Sequence, residues 1–216
     1  MRDGGETATA EMNGSVATLG RADWVVAALE ILANEGIEAV RITRLAADLG
    51  VTRGSFYWHF KDRDDLLAAL IEAWEARNTS ALIEALEAST DLIDAVLAIF
   101  EIWMTDEPFA PKLDAALRDW ARRDPAVRRV VERADEKRLK AIARGFERAG
   151  FAKTEAFIRA RILYFTQVGY YALEVRESLA RRIGYVEAYS KGFTGLELAP
   201  ARVAAYRKRF RARKGS

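Results

Sequence analysis

Apolar positions recur at helical spacing through most of this chain. From Trp24 to Glu35, the residues Trp24, Val25, Ala28, Leu29, Ile31 and Leu32 share one side of a helix, and Gly36 follows as a stop. Ile42–Leu49 predicts a second, short helix with Thr43 as N-cap, Ala46 and Leu49 inward, and Gly50 at its end. Thr52–Phe60 predicts a third. Asp62 caps a fourth, which carries Leu66, Leu67, Leu70, Ile71 and Trp74 and has Asp65 in its first turn. Longer helices are expected over Asp91–Trp103 and Phe109–Arg122, then from the N-cap Asp124 and Pro125 to Gly150, and over Thr154–Ser178 and Leu179–Phe193. No alternating pattern of useful length interrupts them, so the expected fold is all-α. Residues 1–20 lack periodicity and read as a flexible N-terminal arm. Residues 201–216 end in AYRKRFRARKGS, six basic residues and no acidic one, and read as a solvated basic tail, with contact to nucleic acid as the alternative.

Composition removes several classes of function. With no cysteine there is no disulfide framework, no thiolate metal site and no cysteine nucleophile, and a reducing, cytoplasmic setting is expected. The N-terminus has no apolar core of a secretory signal, and the most apolar stretch, Ile162–Leu173, is too short to span a bilayer. No membrane partner is expected. His59 is the sole histidine and has no second metal-ligand candidate beside it, so neither a metal nor another cofactor is expected, and phosphate contact or packing is its reading. Carboxylates fall on helix faces at i,i+3 and i,i+4 from arginines, as in 132–138, where a salt-laced surface is the default. No nucleophile–base pair is visible, so an enzyme is not expected.

The stretch VTRGSFYWHF, 51–60, carries the candidate chemistry. Placed on a wheel at ~100° per residue, Phe56 and Phe60 centre one face. Trp58 points to the opposite side, flanked by Gly54 and Ser55, with Tyr57 and His59 on the borders. A helix buried on all sides has no use for Gly54 in its first turn, where glycine costs ~1 kcal/mol relative to alanine; a surface that must approach the backbone closely does. Two short helices joined by 46–52 have the proportions of a helix-turn-helix, whose second helix enters a DNA major groove. Arg53 can pair with guanine, Ser55 with several base edges, and Tyr57 and Trp58 with sugar or thymine methyl groups. Thr52 and Lys61 suit phosphate. Charge agrees locally: residues 21–80 hold seven Lys/Arg against ten Asp/Glu, but 41–61 hold Arg41, Arg44, Arg53 and Lys61 against Asp48 alone.

The run Ala28-x-x-Ile31-Leu32-Ala33-x-x-Gly36, followed by ITRLAADLGVTRGSFYWHFKDRDDLL at 42–67, resembles the DNA-binding domain of the tetracycline-repressor (TetR) family over about residues 21–74. The string Tyr57-Trp58-His59-Phe60-Lys61 is its most specific part. The resemblance implies an all-helical homodimer: a helix-turn-helix domain at 21–68, and an effector-binding and dimerisation domain at 69–200. It further implies repression of transcription until a small molecule binds. Thr43, Thr52, Tyr57, His59 and Lys61 match positions that hold the phosphate backbone. Arg44, Arg53, Gly54, Ser55 and Trp58 match positions at or near base edges, and Phe56 and Phe60 match core residues. Only Arg2 and Arg21 could bring charge from the arm to a minor groove.

The expected partners are therefore a near-palindromic double-stranded DNA operator, a second copy of the chain, and a small apolar or aromatic effector. Apolar residues on nearly every side of Thr154–Ser178 favour a dimer interface there. Candidates for the effector pocket are Phe100, Trp103, Trp120, Tyr164, Gln167 and Tyr171, with Phe109, Phe165, Thr166 and Tyr170 nearby; most such aromatics are ordinary core. Gln167 and Thr166 require hydrogen-bond partners, which a ligand, a symmetry mate or a backbone carbonyl could supply. The alternative reading is a ligand-independent DNA-binding or architectural protein of the same fold.

Overall fold

The computed structural model describes residues 19–105 and 107–213, with side chains to residue 210. The expected arm, including Arg2, lies almost entirely outside them. Helices make up nearly all of the rest: α1 (Arg21–Glu35), α2 (Ile42–Asp48), α3 (Arg53–Phe56), α4 (Arg63–Glu75), α5 (Ala81–Glu87), α6 (Leu92–Thr105), α7 (Pro111–Arg123), α8 (Pro125–Arg148), α9 (Lys153–Ala172), α10 (Leu179–Thr194) and α11 (Pro200–Arg213). No strand occurs among the described residues.

Two cores sit side by side. The first gathers Trp24, Ala28 and Leu32 of α1, Leu45 of α2, Phe56 and Phe60, and Leu66, Leu70 and Trp74 of α4. It also takes in Leu113, Leu117 and Trp120 of α7 and Val127, Val131 and Ala134 of α8. The second is built from α5, α6, α9, α10, α11 and the far half of α8, through Ala141, Ile142 and Phe146. α8 therefore serves both, starting at a strong signal: Asp124 accepts from Ala126 N (2.8 Å) and Val127 N (3.3 Å), with Pro125 at the first helical position. α4 runs unbroken across the expected boundary at residue 68, because Ala69, Leu70 and Trp74 continue its apolar stripe into the first core.

Several local expectations change. The N-cap of α2 is Arg41 rather than Thr43, which sits exposed in the first turn. α9 stops at Ala172 instead of running to residue 178, with Glu174 in the left-handed region (φ 49°) and Leu173 in solvent. Residues 76–80 form a wide π-type turn in which Asn78 is buried: its amide donates to Ala110 O (3.1 Å) and accepts from Ala110 N (3.0 Å).

The tail is the main correction. Residues 200–213 are helical, not a solvated strand of charge. Val203, Tyr206 and Phe210, spaced three and four apart, are buried against the second core. Arg202 forks onto Asp91 (2.9 Å through Nη1) and holds that carboxyl down at about 2, below the usual carboxylate range.

Candidate nucleic-acid interface

The turn between α2 and α3 sets the position of the interface. Leu49 ends α2, and Gly50 takes φ +67°, a left-handed conformation that a side chain would strain. Gly50 N then donates to Ala47 O (3.1 Å) and Val51 N to Ala46 O (2.9 Å), the paired bonds of a Schellman stop. Thr52 follows in extended conformation as the N-cap of α3.

α3 is shorter than expected. Regular helix covers Arg53–Phe56, and the chain continues to Phe60 through tight turns, with Tyr57 N on Gly54 O (3.2 Å) and His59 N on Phe56 O (2.9 Å). The two-faced arrangement survives this tightening. Phe56 is 0 % and Phe60 2 % exposed, stacked on each other at 5.2 Å, with the Trp24 ring edge-on to Phe56 at 5.3 Å. Trp58, two positions away, is 88 % exposed, a large apolar surface that the chain itself leaves in water. Arg53, Gly54 and Tyr57 are exposed beside it, and Ser55 and His59 are half-buried. A β-carbon on Gly54 would meet only the Thr52 hydroxyl oxygen, at 3.5 Å, so nothing inside the chain demands glycine there.

The cations on this surface differ in how free they are. Arg53 and the Lys61 ammonium make no hydrogen bond or ion pair with the described residues. Arg44 is exposed but tied between Asp48 (2.7 Å) and Glu35 (3.1 Å), which raise its pKa further. Arg21 lies over the Phe60 ring, 4.6 Å from its centroid, and 3.6 Å from Asp65. It is held against the domain. Arg63, which the sequence alone did not single out, is a brace: its guanidinium donates to Val40 O (2.8 Å) and Ile37 O (3.0 Å), pinning the start of α4 to the turn after α1. Asp62 accepts from Asp65 N (2.9 Å), and Asp65 accepts in return from Lys61 N (3.0 Å), which fixes the exit from Phe60.

Away from this surface, a cleft of about 520 Å³, part of it open to solvent, lies between α6, α9 and α10. Phe100, Trp103 and Gln167 line it, as do Thr166 and Tyr170. Tyr185, Tyr189 and Phe193 of α10, not anticipated from sequence, complete the aromatic wall. Gln167 Nε2 is buried without a hydrogen-bond partner. The Thr166 hydroxyl donates instead to Ile162 O one turn back (2.6 Å). Trp120, Tyr164 and Tyr171 do not line the cleft. Trp120 belongs to the first core. Tyr171 stacks on Phe109 and donates to Trp103 O (3.0 Å). Tyr164 points the other way along α9, into a buried polar cluster.

That cluster sits at the seam of the two cores. Arg138 of α8, fully buried, donates to Thr79 Oγ1 (3.0 Å), Asp114 Oδ1 (3.2 Å) and the Tyr164 hydroxyl (2.9 Å). Asp114 of α7 also accepts from the Trp74 indole of α4 (3.0 Å) and from Arg118 (2.8 Å), which forks onto Asp135. Burial alone would raise the Asp114 carboxyl, but Arg138, Arg118 and the Trp74 N–H outweigh it and hold the group ionised below its ordinary range. Burial pushes the Tyr164 phenol up, so it stays a neutral donor to Asp135 (2.6 Å). One polar network thus joins α4, which packs into the first core, to α9, whose other side walls the cleft.

Among the described residues there is no group of three or more His, Asp or Glu placed to hold a metal, and no helix long and apolar enough to cross a membrane. Residues 25–70 match the family model described as bacterial regulatory proteins, tetR family. The chain is 42 % identical over 48 residues to the HTH-type transcriptional regulator AcrR of Shigella flexneri, and 50 % identical over 46 residues to the class C tetracycline repressor protein of Escherichia coli. Each match covers 21 % of the relative and 22 % or 21 % of this chain, so the chain aligns with about a fifth of the length of these curated relatives. In fold the likeness is broader. The regulator FadR of Bacillus subtilis, solved in complex with stearoyl-CoA, superposes with a TM-score of 0.57 at 14 % identity over 80 % of this chain and 97 % of that one. Residues 25–70 are thus similar to the helix-turn-helix domain of the tetR family of bacterial regulatory proteins, and the chain as a whole shares its helical fold with FadR.

Proposed function

We propose that the chain is a repressor that binds a near-palindromic operator as a homodimer, acts in the cytoplasm without catalysing a reaction, and is released by a small molecule held in the α6–α9–α10 cleft. The observation that carries DNA recognition is the split of α3: phenylalanines sealed inward, and Trp58, Arg53, Tyr57 and Gly54 in solvent. In this assignment Arg53, Ser55 and Trp58 read base edges, with Gly54 letting the groove wall approach. Thr43, Thr52, Tyr57, His59 and Lys61 hold phosphates. Arg44 orders the α1–α2 corner through its two carboxylates and approaches the DNA from that anchored position.

Pairing of two copies is supported by where the exposed apolar surface lies. Among the described residues, nine of the twelve large hydrophobic side chains in solvent fall between Phe157 and Leu196, on the outer sides of α9 and α10 and in the segments that follow each of them. At ~200 Å² per such side chain, their exposed fractions amount to roughly 800 Å², about what one partner covers in a standard interface. Residues 21–68 form the reading head in this scheme, and 69–200 the sensing and pairing body. FadR with its bound stearoyl-CoA supports a ligand site in a body of this shape. Release follows from geometry: two reading heads must sit ~34–36 Å apart to enter successive major grooves. A ligand wedged against α9 shifts Tyr164, and through Arg138, Asp114 and Trp74 it shifts α4 and that spacing.

The test is a gel shift on DNA upstream of the chain's own gene, with and without a panel of aromatic and acyl compounds. Sequence-selective, salt-sensitive binding that one compound abolishes is the expected result. Selective binding that no compound disturbs selects a ligand-independent DNA-binding protein, and turnover of a panel compound would point to an enzyme instead.

A further inference from the structure

The polar groups of the α6–α9–α10 cleft are unevenly satisfied. Tyr170 donates to Glu177 (3.3 Å), and Glu177 lies 3.6 Å from the exposed Arg181, so its charge is already matched. The Thr166 hydroxyl is spent on its own helix. Two side chains of the wall are left with unused donors. Gln167 Nε2 is buried, and its N–H groups meet no acceptor among the described residues. Arg182, half-buried in the same wall, donates through Nη2 to Trp103 O (2.9 Å) and lies over the Tyr170 ring, 5.0 Å from its centroid. No carboxylate of the described residues pairs with this guanidinium, and its other N–H groups have no partner there. Gln167 and Tyr170 are three positions apart on α9 and so share a face, which puts the amide and the guanidinium at the same end of the cleft. The remaining wall is flat and aromatic. Tyr189 and Phe193, one turn apart on α10, stack nearly parallel (5.7 Å between centroids, 15° between planes), and Phe100 meets Phe193 at 6.0 Å. A cleft of about 520 Å³ has room for a fused-ring molecule.

We infer that the effector is a planar aromatic carboxylate, with its ring against Tyr189, Phe193 and Phe100 and its carboxylate accepting from Arg182 and from Gln167 Nε2. The inference rests on the effector cleft put forward above and narrows what enters it. A carboxylate brings only acceptors, which suits two groups that have only donors to offer. Its charge balances Arg182, a cation that the cleft itself leaves without a counter-charge. Its two oxygens match the guanidinium fork and lie in the plane of the ring, so the whole molecule stays flat against the aromatic wall. A cationic amine has the opposite complement: it brings donors to donors, and a charge of the same sign as Arg182. Glu177 does not reverse this preference, because Tyr170 and Arg181 already engage it.

Isothermal titration calorimetry on the full chain, without DNA, tests this with benzoate and naphthalene carboxylate against their primary amides, which keep the ring and the planar head and lose the charge. The expected outcome is that naphthalene carboxylate binds about 10- to 100-fold more tightly than its amide, the weight of hydrogen bonds to a charged group. Arg182→Gln brings the carboxylate down to the affinity of the amide and changes the amide far less. Gln167→Leu, which removes the donors and keeps most of the bulk, weakens the carboxylate several-fold. Circular dichroism checks that both variants fold, and the comparison of acid with amide on the wild type needs neither. Equal affinities for acid and amide overturn the anionic class while leaving the cleft as a site for neutral ligands. A carboxylate whose affinity Arg182→Gln does not move is held elsewhere, and the assignment falls. If neither acid binds at millimolar concentration the proposal fails, and the compound panel of the gel shift decides separately whether the cleft holds an effector of another kind.

Discussion

Asp114→Ala lowers the stability of the folded chain by about 3–5 kcal/mol, seen as a fall in the urea midpoint at unchanged slope, because it leaves Arg138 charged and fully buried with one anchor gone. The magnitude comes from burial. Arg138 already has one guanidinium nitrogen without a partner, and its remaining contacts, the Thr79 hydroxyl at 3.0 Å, the Tyr164 hydroxyl at 2.9 Å and Asp135 at 3.4 Å, leave it no route to water. Asp114→Ala also strands the Trp74 N–H, so the damage reaches α4. Trp74→Phe keeps an aromatic ring there but removes the N–H donor and part of the buried indole; it costs about 2 kcal/mol, less than Asp114→Ala. Its larger effect is on regulation, where a compound that releases the wild type from DNA releases this variant less completely. Glu136→Gln on the outer face of the same helix, paired with Lys140 in full solvent, leaves the urea midpoint unmoved. If Asp114→Ala and Glu136→Gln gave equal midpoints, the cluster would not be holding the two cores together.

The second large effect is on DNA affinity. Arg53→Ala removes a bidentate donor to a base pair and weakens operator binding 10- to 100-fold, equivalent to about 1–3 kcal/mol, with far less change on a scrambled duplex. Trp58→Ala acts in the same direction, since the side chain is 88 % exposed and its loss removes little packing within the chain. Lys61→Ala and Tyr57→Ala weaken operator and scrambled duplexes by similar factors, and Lys61→Ala lowers the slope of log affinity against log salt by about one. Fluorescence anisotropy with both duplexes at several salt concentrations separates the two groups. Equal losses on both duplexes for all four variants would mean that these side chains do not divide into base and phosphate contacts.

The first core was legible because its residues obey short-range rules. Phe56 and Phe60 sit one turn apart, Gly50 takes the one conformation that ends α2 where it must, and Asp62 and Asp124 cap the helices that follow them. Even there the length of α3 was overdrawn: apolar spacing does not distinguish regular helix from the tight turns through 57–59. Elsewhere the decisive contacts are long-range. Nothing near Tyr164 indicates that it serves Arg138 and Asp135 rather than the cleft, and nothing near Arg44 announces Glu35 as its second partner. The tail is hard to read because its charge is conspicuous and its apolar residues are few; yet Val203, Tyr206 and Phe210 have helical spacing, and Asp91, just before α6, and Asp94 in its first turn meet Arg202.

One measurement bears most directly on the central claim, that the outer face of α3 is the surface that meets DNA. Of the five tryptophans, Trp24, Trp74, Trp103 and Trp120 are buried and only Trp58 is open to solvent, so quenching of the chain's fluorescence by acrylamide reports on Trp58. Titration with an operator duplex, its binding followed in parallel by anisotropy of a labelled strand, is predicted to abolish most of that quenching at one duplex per protein dimer. Full quenching of Trp58 while the anisotropy shows the duplex bound would place the DNA on some other surface.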